Sequence, residues 1–277
     1  LDVRSKGGKL IFRMEDLDPD RSFEKYSQRM VSDLKYLGLD WDEGYGFDNV
    51  RYAQSKRTKQ YEDAFEILMR KNLVYPCYCS RNQRLAASAP HFGEARDSSC
   101  PCRYLTMRER TQLEAAGKKP AWKIKVPDKT ISFVDEHYGA ISENLQDSGD
   151  FIIKRSDGVF AYQLAVSYDD MDMGVNRVVR GRDLLSSTAR QIFIIGELGG
   201  TAPSYCHSPL IVSADGRKMS KRNGDLSMEV LREKYSPEEI IGQLAALLNL
   251  TDGKPVSAEE LLNYFSWDKV PATDKIL

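Results

Sequence analysis

Short apolar runs and longer amphipathic stretches alternate along the first 75 residues. Residues 1–6 have the pattern of a helix end closed by two glycines, and residues 9–14 predict a strand that leads into an acidic loop. Amphipathic spacing predicts helices at residues 22–37 and 55–71, the first capped by Ser22. This order of strand, loop and helix indicates an α/β sheet whose ligands bind beyond the strand ends.

The pattern changes after residue 75. Residues 76–150 combine clustered cysteines with one helix and short strands, and the segment therefore reads as an inserted subdomain. The helix is predicted at residues 108–116 and the strands at residues 121–126 and 131–134.

Residues 151–225 return to the alternating pattern. They predict a hairpin of strands 151–154 and 159–164, a strand at 176–180, a helix at 187–198 and a strand at 205–212. Beyond residue 226 the pattern is helical, and residues 236–239 are a good helix start. We therefore predict one α/β catalytic domain from residues 1–75 and 151–225, an inserted subdomain of residues 76–150, and a helical C-terminal segment of residues 226–277.

Length and charge set the class of protein. The 277 residues are 41% hydrophobic and carry a formal net charge of −1, which is enough chain for one domain with an insertion or two modest domains. We find neither an apolar run of the roughly 20 residues that a membrane helix needs nor a signal segment. These features predict a cytoplasmic protein without a membrane partner. The near-neutral charge disfavours a protein that coats nucleic acid but allows a local basic site.

The sharpest chemical signal is a basic loop at residues 217–222. Four of its six residues are Lys or Arg, and glycines flank the segment. Such a loop can bring ammonium groups to a polyphosphate, where cations stabilise the charge that builds up when ATP activates a carboxylate. A solvated basic turn is the alternative. The Lys218-Met219-Ser220-Lys221 sequence after a predicted strand resembles the second signature of class I aminoacyl-tRNA synthetases.

Further motifs, in the same order, resemble the glutamyl-queuosine tRNA(Asp) synthetases, a class I family similar to glutamyl-tRNA synthetases. The motifs are RMEDLDP at residues 13–19, DGVFAYQLAV at 157–166 with Asp169-Asp170, VVRGRDLL at 178–185 and TARQ at 188–191. The resemblance covers nearly the whole chain. It implies a Rossmann-like catalytic domain with an inserted zinc-binding, tRNA-facing subdomain.

The resemblance also implies roles for individual residues. Glu15, Tyr162 and Arg180 would contact glutamate, and Lys221, helped by Lys218 and with Met219 beside them, would bind ATP and act in catalysis. A glutamate pocket needs a guanidinium for a carboxylate and an anion for the ammonium, which fits these residue types.

Each of the three glutamate contacts has a structural alternative. Arg180 could pair with Asp183, Glu15 could cap the following helix, and Tyr162 could be a core residue.

Four of the five cysteines form two close pairs, Cys77 with Cys79 and Cys100 with Cys102. In a cytosolic chain such pairs favour metal over disulfides, and four thiolates suit a closed, structural Zn²⁺ site. In the family a tyrosine four residues before the last cysteine is commonly the third ligand. Here that position is Ser98, so either Cys100 replaces the tyrosine or the site has decayed. Free thiols and a disulfide remain alternatives, and Cys206 and His207 are predicted to be core residues.

The first class I signature, a His-x-Gly-His-like segment that holds ATP at a helix start, does not occur in the sequence. An incomplete chain, a wrongly chosen start and a natural remnant are the open explanations. We expect the chain as written to be severely impaired in adenylation.

The function implied is activation of glutamate with ATP, assisted by Mg²⁺, and transfer to the queuosine base of tRNA(Asp), by a monomer. The alternatives are a truncated glutamate–tRNA ligase that charges the tRNA 3′ end and an inactive paralogue that acts as a binding module.

Overall fold

The computed structural model of the protein describes residues 1–18, 20, 22–79, 100–213 and 227–276. The helices among them are α1 (Asp2–Ser5), α2 (Glu24–Tyr36), α3 (Asn49–Tyr52), α4 (Thr58–Arg70), α5 (Met107–Ala115), α6 (Leu145–Ser148), α7 (Tyr162–Asp172), α8 (Thr188–Glu197), α9 (Met228–Lys234) and α10 (Pro237–Leu247). The strands are β1 (Ile11–Phe12), β2 (Glu43–Gly44), β3 (Val74–Cys77), β4 (Ala121–Ile124), β5 (Thr130–Asp135), β6 (Gly139–Asn144), β7 (Phe151–Lys154), β8 (Arg177–Gly181), β9 (Ser204–Ser208), β10 (Ile211–Val212) and β11 (Lys275–Ile276). No helix in these ranges is both long and apolar enough to span a bilayer.

The strands form four sheets. The largest has the order β6-β5-β9-β8, in which β9 is parallel to both β5 and β8 while β6 is antiparallel to β5. Strands β3, β4 and β7 form an antiparallel sheet, and β1 with β2 and β10 with β11 form two short parallel pairs. Parallel pairing requires crossover connections, which here include α8 between β8 and β9.

The predicted division of the chain at residues 75 and 150 stays a prediction, but strand pairing bears on its second boundary. Asp135 at the end of β5 pairs with Tyr205 of β9, so β5 and β6 extend the sheet that contains β8. Two strands from the predicted insertion therefore belong to the same sheet as strands of the predicted catalytic domain.

The main hydrophobic core lies where α4, α7 and α8 pack against β4 and β7. Leu68, Leu164 and Ile194 contribute one fully buried side chain from each helix, and Ile124 and Ile153 do so from the strands. Because α7 is buried on several sides, its apolar residues surround the helix instead of forming one stripe.

One glycine allows the first parallel pair to form. Gly44 has φ +137°, and a Cβ on it would lie 2.1 Å from the carbonyl oxygen of Phe12, its partner in β1. Only a residue without a Cβ permits this approach. The pairing fixes the start of the acidic segment that follows β1.

Three predicted elements are corrected by the structure. Residues 159–164 are not a strand: Phe160 makes a single bridge to Lys154, and α7 begins at Tyr162. The predicted strand 205–212 is two strands, because Pro209 lies between β9 and β10 and a proline cannot donate to a ladder. Helix α2 begins at Glu24 with Phe23 as its N-cap, so Ser22 does not cap it.

In the C-terminal segment, α9 and α10 are helical, but most of the residues described after α10 are not. Ser236 and Glu239 form the capping box at the start of α10, which confirms the predicted helix start. Strand β11 then returns to pair with β10.

The two ends of the described chain are joined by one carboxylate. Asp2 of α1 accepts hydrogen bonds from Arg177 of β8 and, over 2.8 Å, from the indole nitrogen of Trp267. Burial alone would raise the pKa of Asp2, but the hydrogen bonds from Arg177, Trp267 and Lys6 lower it to about 2. The carboxylate therefore stabilises the folded state while it is ionised.

We predict that Asp2→Asn lowers the free energy of unfolding by about 2 kcal/mol at pH 7, the value of a pKa that falls from 3.8 to about 2. Because the folded-state pKa is the lower one, this contribution is complete above about pH 5 and lost as the pH falls towards 2. Urea unfolding at pH 7, 5 and 3 measures it. The exposed Asp252→Asn is the control, and an Asp2→Asn deficit that is constant with pH would contradict the assignment.

Candidate functional site

A cavity of about 550 Å³ opens between the end of β1, helix α7 and strand β8. Its volume lies in the range of about 300–1,000 Å³ typical of small-molecule sites. The structure brings the three predicted glutamate contacts, Glu15, Tyr162 and Arg180, to the wall of this one cavity. Arg13, Asp170 and Leu184 also line it.

Each of the three residues reaches the cavity from a different element. Glu15 lies in the segment after β1, directly after Met14, and Met14 forms an isolated β-bridge to Ala53. Tyr162 is the first residue of α7 and is half-buried, so it is not a core residue. Glu15 accepts a hydrogen bond from Arg13 over 3.2 Å and does not cap α2, whose N-cap is Phe23.

Arg180 is held by four hydrogen bonds from its guanidinium. Its Nε donates to His207 Nε2 over 3.0 Å, and its Nη1 donates to Gln191 Oε1 over 2.7 Å. Its Nη2 donates to Thr188 Oγ1 over 3.0 Å and to the Leu184 carbonyl over 3.3 Å. A guanidinium has five N–H groups. Among the described residues, one N–H on Nη1 therefore remains for a ligand.

Arg13 organises the acidic side of the cavity. Its Nη1 lies 2.8 Å from an oxygen of Asp170, and its Nη2 lies 3.2 Å from Glu15. Desolvation raises the pKa of Glu15 and that of the buried Asp170, although the Arg13 charge opposes both shifts. Burial also raises the pKa of the Tyr162 phenol, and Glu15 adds to the shift. The cavity thus combines cations and carboxylates, which suits a ligand that carries charges of both signs.

Beneath this wall lies a buried carboxylate of α7, Asp169. It accepts hydrogen bonds from Gln54 over 2.8 Å, Arg57 Nε over 2.8 Å and the Tyr61 hydroxyl over 2.9 Å. Asp169 and Arg57 are almost completely excluded from solvent. This network ties α7, which carries Tyr162 and Asp170, to the start of α4.

Several residues that shape the cavity were not assigned a role from the sequence. Asp170 follows the DGVFAYQLAV motif and Gln191 ends the TARQ motif, so the family motifs could have indicated a role for both residues. Arg13 stands in the same motif as Glu15. His207 was predicted to be a core residue, and its contact with Arg180 has no signal in the sequence because it depends on strand pairing.

The predicted ATP-binding residues Lys218, Met219 and Lys221 lie outside the residues that the structure describes. The nearest described strand, β10, ends at Val212.

The four cysteines of the predicted metal site lie together. The Sγ atoms of Cys77, Cys79, Cys100 and Cys102 are all within 4.8 Å of one another. Three of the pairs are 3.6 Å apart, close to the ~3.8 Å that separates thiolates around one tetrahedral ion with Zn–S bonds of about 2.3 Å. All four are free thiols in the structure. The donor set and its spacing fit a tetrahedral metal ion.

The base of this cysteine cluster is anchored by Asp150. Its carboxylate accepts from the Tyr75 hydroxyl over 3.0 Å, from the Val126 backbone over 2.8 Å and from Arg103 over 3.2 Å. Tyr75 belongs to β3, and Arg103 is adjacent to Cys102. One buried carboxylate therefore joins both cysteine segments to the antiparallel sheet.

Comparison with known proteins defines the class of this chain. Residues 3–273 match the family model of class I tRNA synthetases for E and Q, catalytic domain. The chain belongs to this family of ATP-using, aminoacyl-tRNA synthetase-like ligases.

Individual relatives are similar over nearly the whole chain. A glutamyl-Q tRNA(Asp) synthetase of Symbiobacterium thermophilum is 42% identical, over 98% of this chain and 86% of the relative. A glutamate–tRNA ligase 2 of Syntrophus aciditrophicus is 39% identical, over 96% of this chain and 56% of the relative. The crystal structure of a glutamate tRNA ligase from Elizabethkingia meningosepticum, in complex with its amino acid, aligns with a TM-score of 0.80 at 25% identity. That alignment covers 99% of this chain and 61% of the ligase. These findings confirm the predicted class I synthetase fold.

We predict that Asp169→Asn lowers the free energy of unfolding by about 3 kcal/mol, because it leaves the buried Arg57 without its charged partner at Nε. Urea unfolding measures the loss. Asp63→Asn is the matched control, since Asp63 pairs with Lys59 on the exposed face of α4 and its removal leaves the midpoint nearly unchanged. Equal effects of the two substitutions would contradict the buried network.

Proposed function

We propose that the protein activates glutamate with ATP and transfers the glutamyl group to the queuosine base of tRNA(Asp). The observation that carries the proposal is the meeting of Glu15, Tyr162 and Arg180 in one cavity. The glutamyl-Q tRNA(Asp) synthetase relative, similar along almost the full chain, supports the choice of acceptor.

In the first step a carboxylate oxygen of glutamate attacks the α-phosphorus of ATP, and pyrophosphate leaves. Lys218 and Lys221, with Met219 between them, bind the ATP phosphates, and Mg²⁺ accompanies the nucleotide. In the second step a hydroxyl of the queuosine cyclopentenediol attacks the glutamyl carbonyl, and AMP leaves. Neither step needs a protein nucleophile, so positioning and charge stabilisation supply the catalysis.

The cavity gives each charge of glutamate a partner. Glu15 binds the ammonium group, directly or through water, and the Tyr162 hydroxyl provides a neutral hydrogen bond. Arg180 binds a carboxylate through its remaining Nη1 N–H. Bidentate hydrogen bonding to the carboxylate would require the ligand to replace the longest hydrogen bond of Arg180, the 3.3 Å contact between Nη2 and the Leu184 carbonyl.

Glutamate–tRNA ligase activity at the tRNA 3′ end is the second candidate, because the Syntrophus relative with that name is 39% identical. Radiolabelled glutamate, ATP and Mg²⁺ are incubated with the full-length gene product and tRNA(Asp), with and without queuosine, and the tRNA is then cleaved into anticodon and acceptor fragments. We expect label on the anticodon fragment of the queuosine-containing tRNA alone. Label on the acceptor fragment favours the second candidate, and no label on either favours a binding module.

We predict that Arg180→Gln raises the KM for glutamate roughly 100-fold, the effect of losing about 3 kcal/mol of charged hydrogen bonding. The KM for ATP should change little. Arg182→Gln is the matched control, because Arg182 pairs with Asp274 on the exposed surface. An Arg180→Gln enzyme that is folded by thermal unfolding and keeps the KM for glutamate would exclude this residue from the pocket.

The cysteine cluster holds one structural Zn²⁺ in this proposal, with Cys100 in place of the family's tyrosine. Four thiolates leave no open position for substrate, so the ion stabilises the fold and takes no part in the reaction.

We predict one zinc per chain in the purified protein and its loss in Cys100→Ser, both measured by elemental analysis. Removal of the ion by a chelator should lower the thermal unfolding midpoint. Cys206→Ser is the control, since Cys206 is buried in β9 away from the cluster. Substoichiometric zinc in the unaltered protein, or retention of zinc in Cys100→Ser, would reject a four-cysteine site.

A further inference from the structure

We infer that His207 and Asp135 are positioning residues that aim the Arg180 guanidinium into the cavity. The three side chains form one chain of hydrogen bonds, from Asp135 through His207 to Arg180. The inference rests on the proposed role of Arg180 in glutamate binding.

The strand register places the three residues side by side. Arg180 of β8 is the direct partner of His207 in the neighbouring strand β9, and Asp135 of β5 is the partner of Tyr205, two residues before His207. Because directly paired residues project from the same face of a sheet, Arg180 and His207 meet without a bend in either strand. The relay is thus a product of three adjacent strands.

The donor chemistry fixes the state of His207. The Arg180 Nε–H can only donate, so His207 Nε2, 3.0 Å away, must accept. The ring is therefore neutral and carries its proton on Nδ1, which donates to Asp135 Oδ2 over 2.6 Å. A ring protonated on Nε2 would present an N–H to the Arg180 N–H and break the contact.

Asp135 is itself held in place by backbone hydrogen bonds. Its Oδ1 accepts backbone N–H bonds from His137 over 3.1 Å, Tyr138 over 2.9 Å and His207 over 3.3 Å. Asp135 and His207 are both completely buried. Because Oδ1 accepts the backbone hydrogen bonds, Oδ2 is left to accept from His207 Nδ1. This hydrogen bond favours the tautomer with the proton on Nδ1.

The remaining contacts of Arg180 keep the guanidinium plane in place. The Tyr205 ring lies 5.5 Å from the guanidinium carbon, and Gln191, which accepts from Nη1, is itself held by Gln163 over 3.0 Å. His207 binds Nε, the nitrogen nearest the stem of the side chain. It therefore helps to set the direction in which both Nη groups point. Arg180 lines the cavity, whereas Asp135 is not among the residues that line it.

Two substitutions of His207 separate positioning from folding. Gln can place its side-chain oxygen near the position of Nε2 and keep the acceptor for Arg180, whereas Asn can replace only the Nδ1 donor to Asp135 and leaves Arg180 Nε without its acceptor. We expect His207→Asn to raise the KM for glutamate in the tRNA glutamylation assay about tenfold, the result of losing one hydrogen bond of about 1.4 kcal/mol. His207→Gln should recover most of this loss, and the KM for ATP should stay unchanged in both.

His137→Asn is the control, because the His137 ring faces the Pro271 carbonyl and not Arg180. Thermal unfolding midpoints of the three variants identify any general loss of fold. Equal glutamate KM values for His207→Asn and the unaltered protein would overturn the inference, as would a KM for His207→Gln no better than that for His207→Asn.

A second readout is independent of activity. Long-range ¹H–¹⁵N NMR of the imidazoles in the unaltered protein should show His207 with a protonated Nδ1 and an unprotonated Nε2 at neutral pH. A protonated Nε2 would overturn the relay even if glutamylation is observed. If the tautomer is as expected but no tRNA is glutamylated, the proposed function fails while the hydrogen-bond relay stands.

Discussion

The parallel register of β8 against β9 is the constraint on which the cavity depends. It sets Arg180 opposite His207, and the guanidinium then has fixed acceptors on the neighbouring strand, on α8 and at the carbonyl of Leu184. A long, flexible side chain would otherwise lose much rotamer entropy on binding a ligand. Here four hydrogen bonds hold the guanidinium before any ligand arrives, and one N–H on Nη1 is left over among the described residues.

The acidic wall shows the opposite arrangement. Glu15 and Asp170 both pair with Arg13, and desolvation raises the pKa of both carboxyls. An ammonium group entering the cavity would add a favourable positive charge beside these two carboxyls. The two walls together therefore favour a zwitterionic ligand over a simple anion.

Motif order predicted more of this molecule than hydrophobic pattern did. It named Glu15, Tyr162 and Arg180, which the fold brings together, and the hydrophobic pattern placed α2 and α8 to within about two residues. The pattern failed at residues 159–164, because a short apolar run is equally compatible with a buried strand and a buried helix. It also could not identify His207, since hydrogen bonding between β8 and β9 joins positions 27 residues apart in sequence.

Asp150 gives the cysteine segments a fixed geometry. Because one carboxylate bonds to Tyr75 in β3, to Arg103 beside Cys102 and to the backbone after β4, the cysteine cluster cannot pivot on the sheet without breaking buried hydrogen bonds. A substitution of Asp150 would therefore disturb both cysteine segments at once, although Asp150 itself is no member of the cysteine cluster.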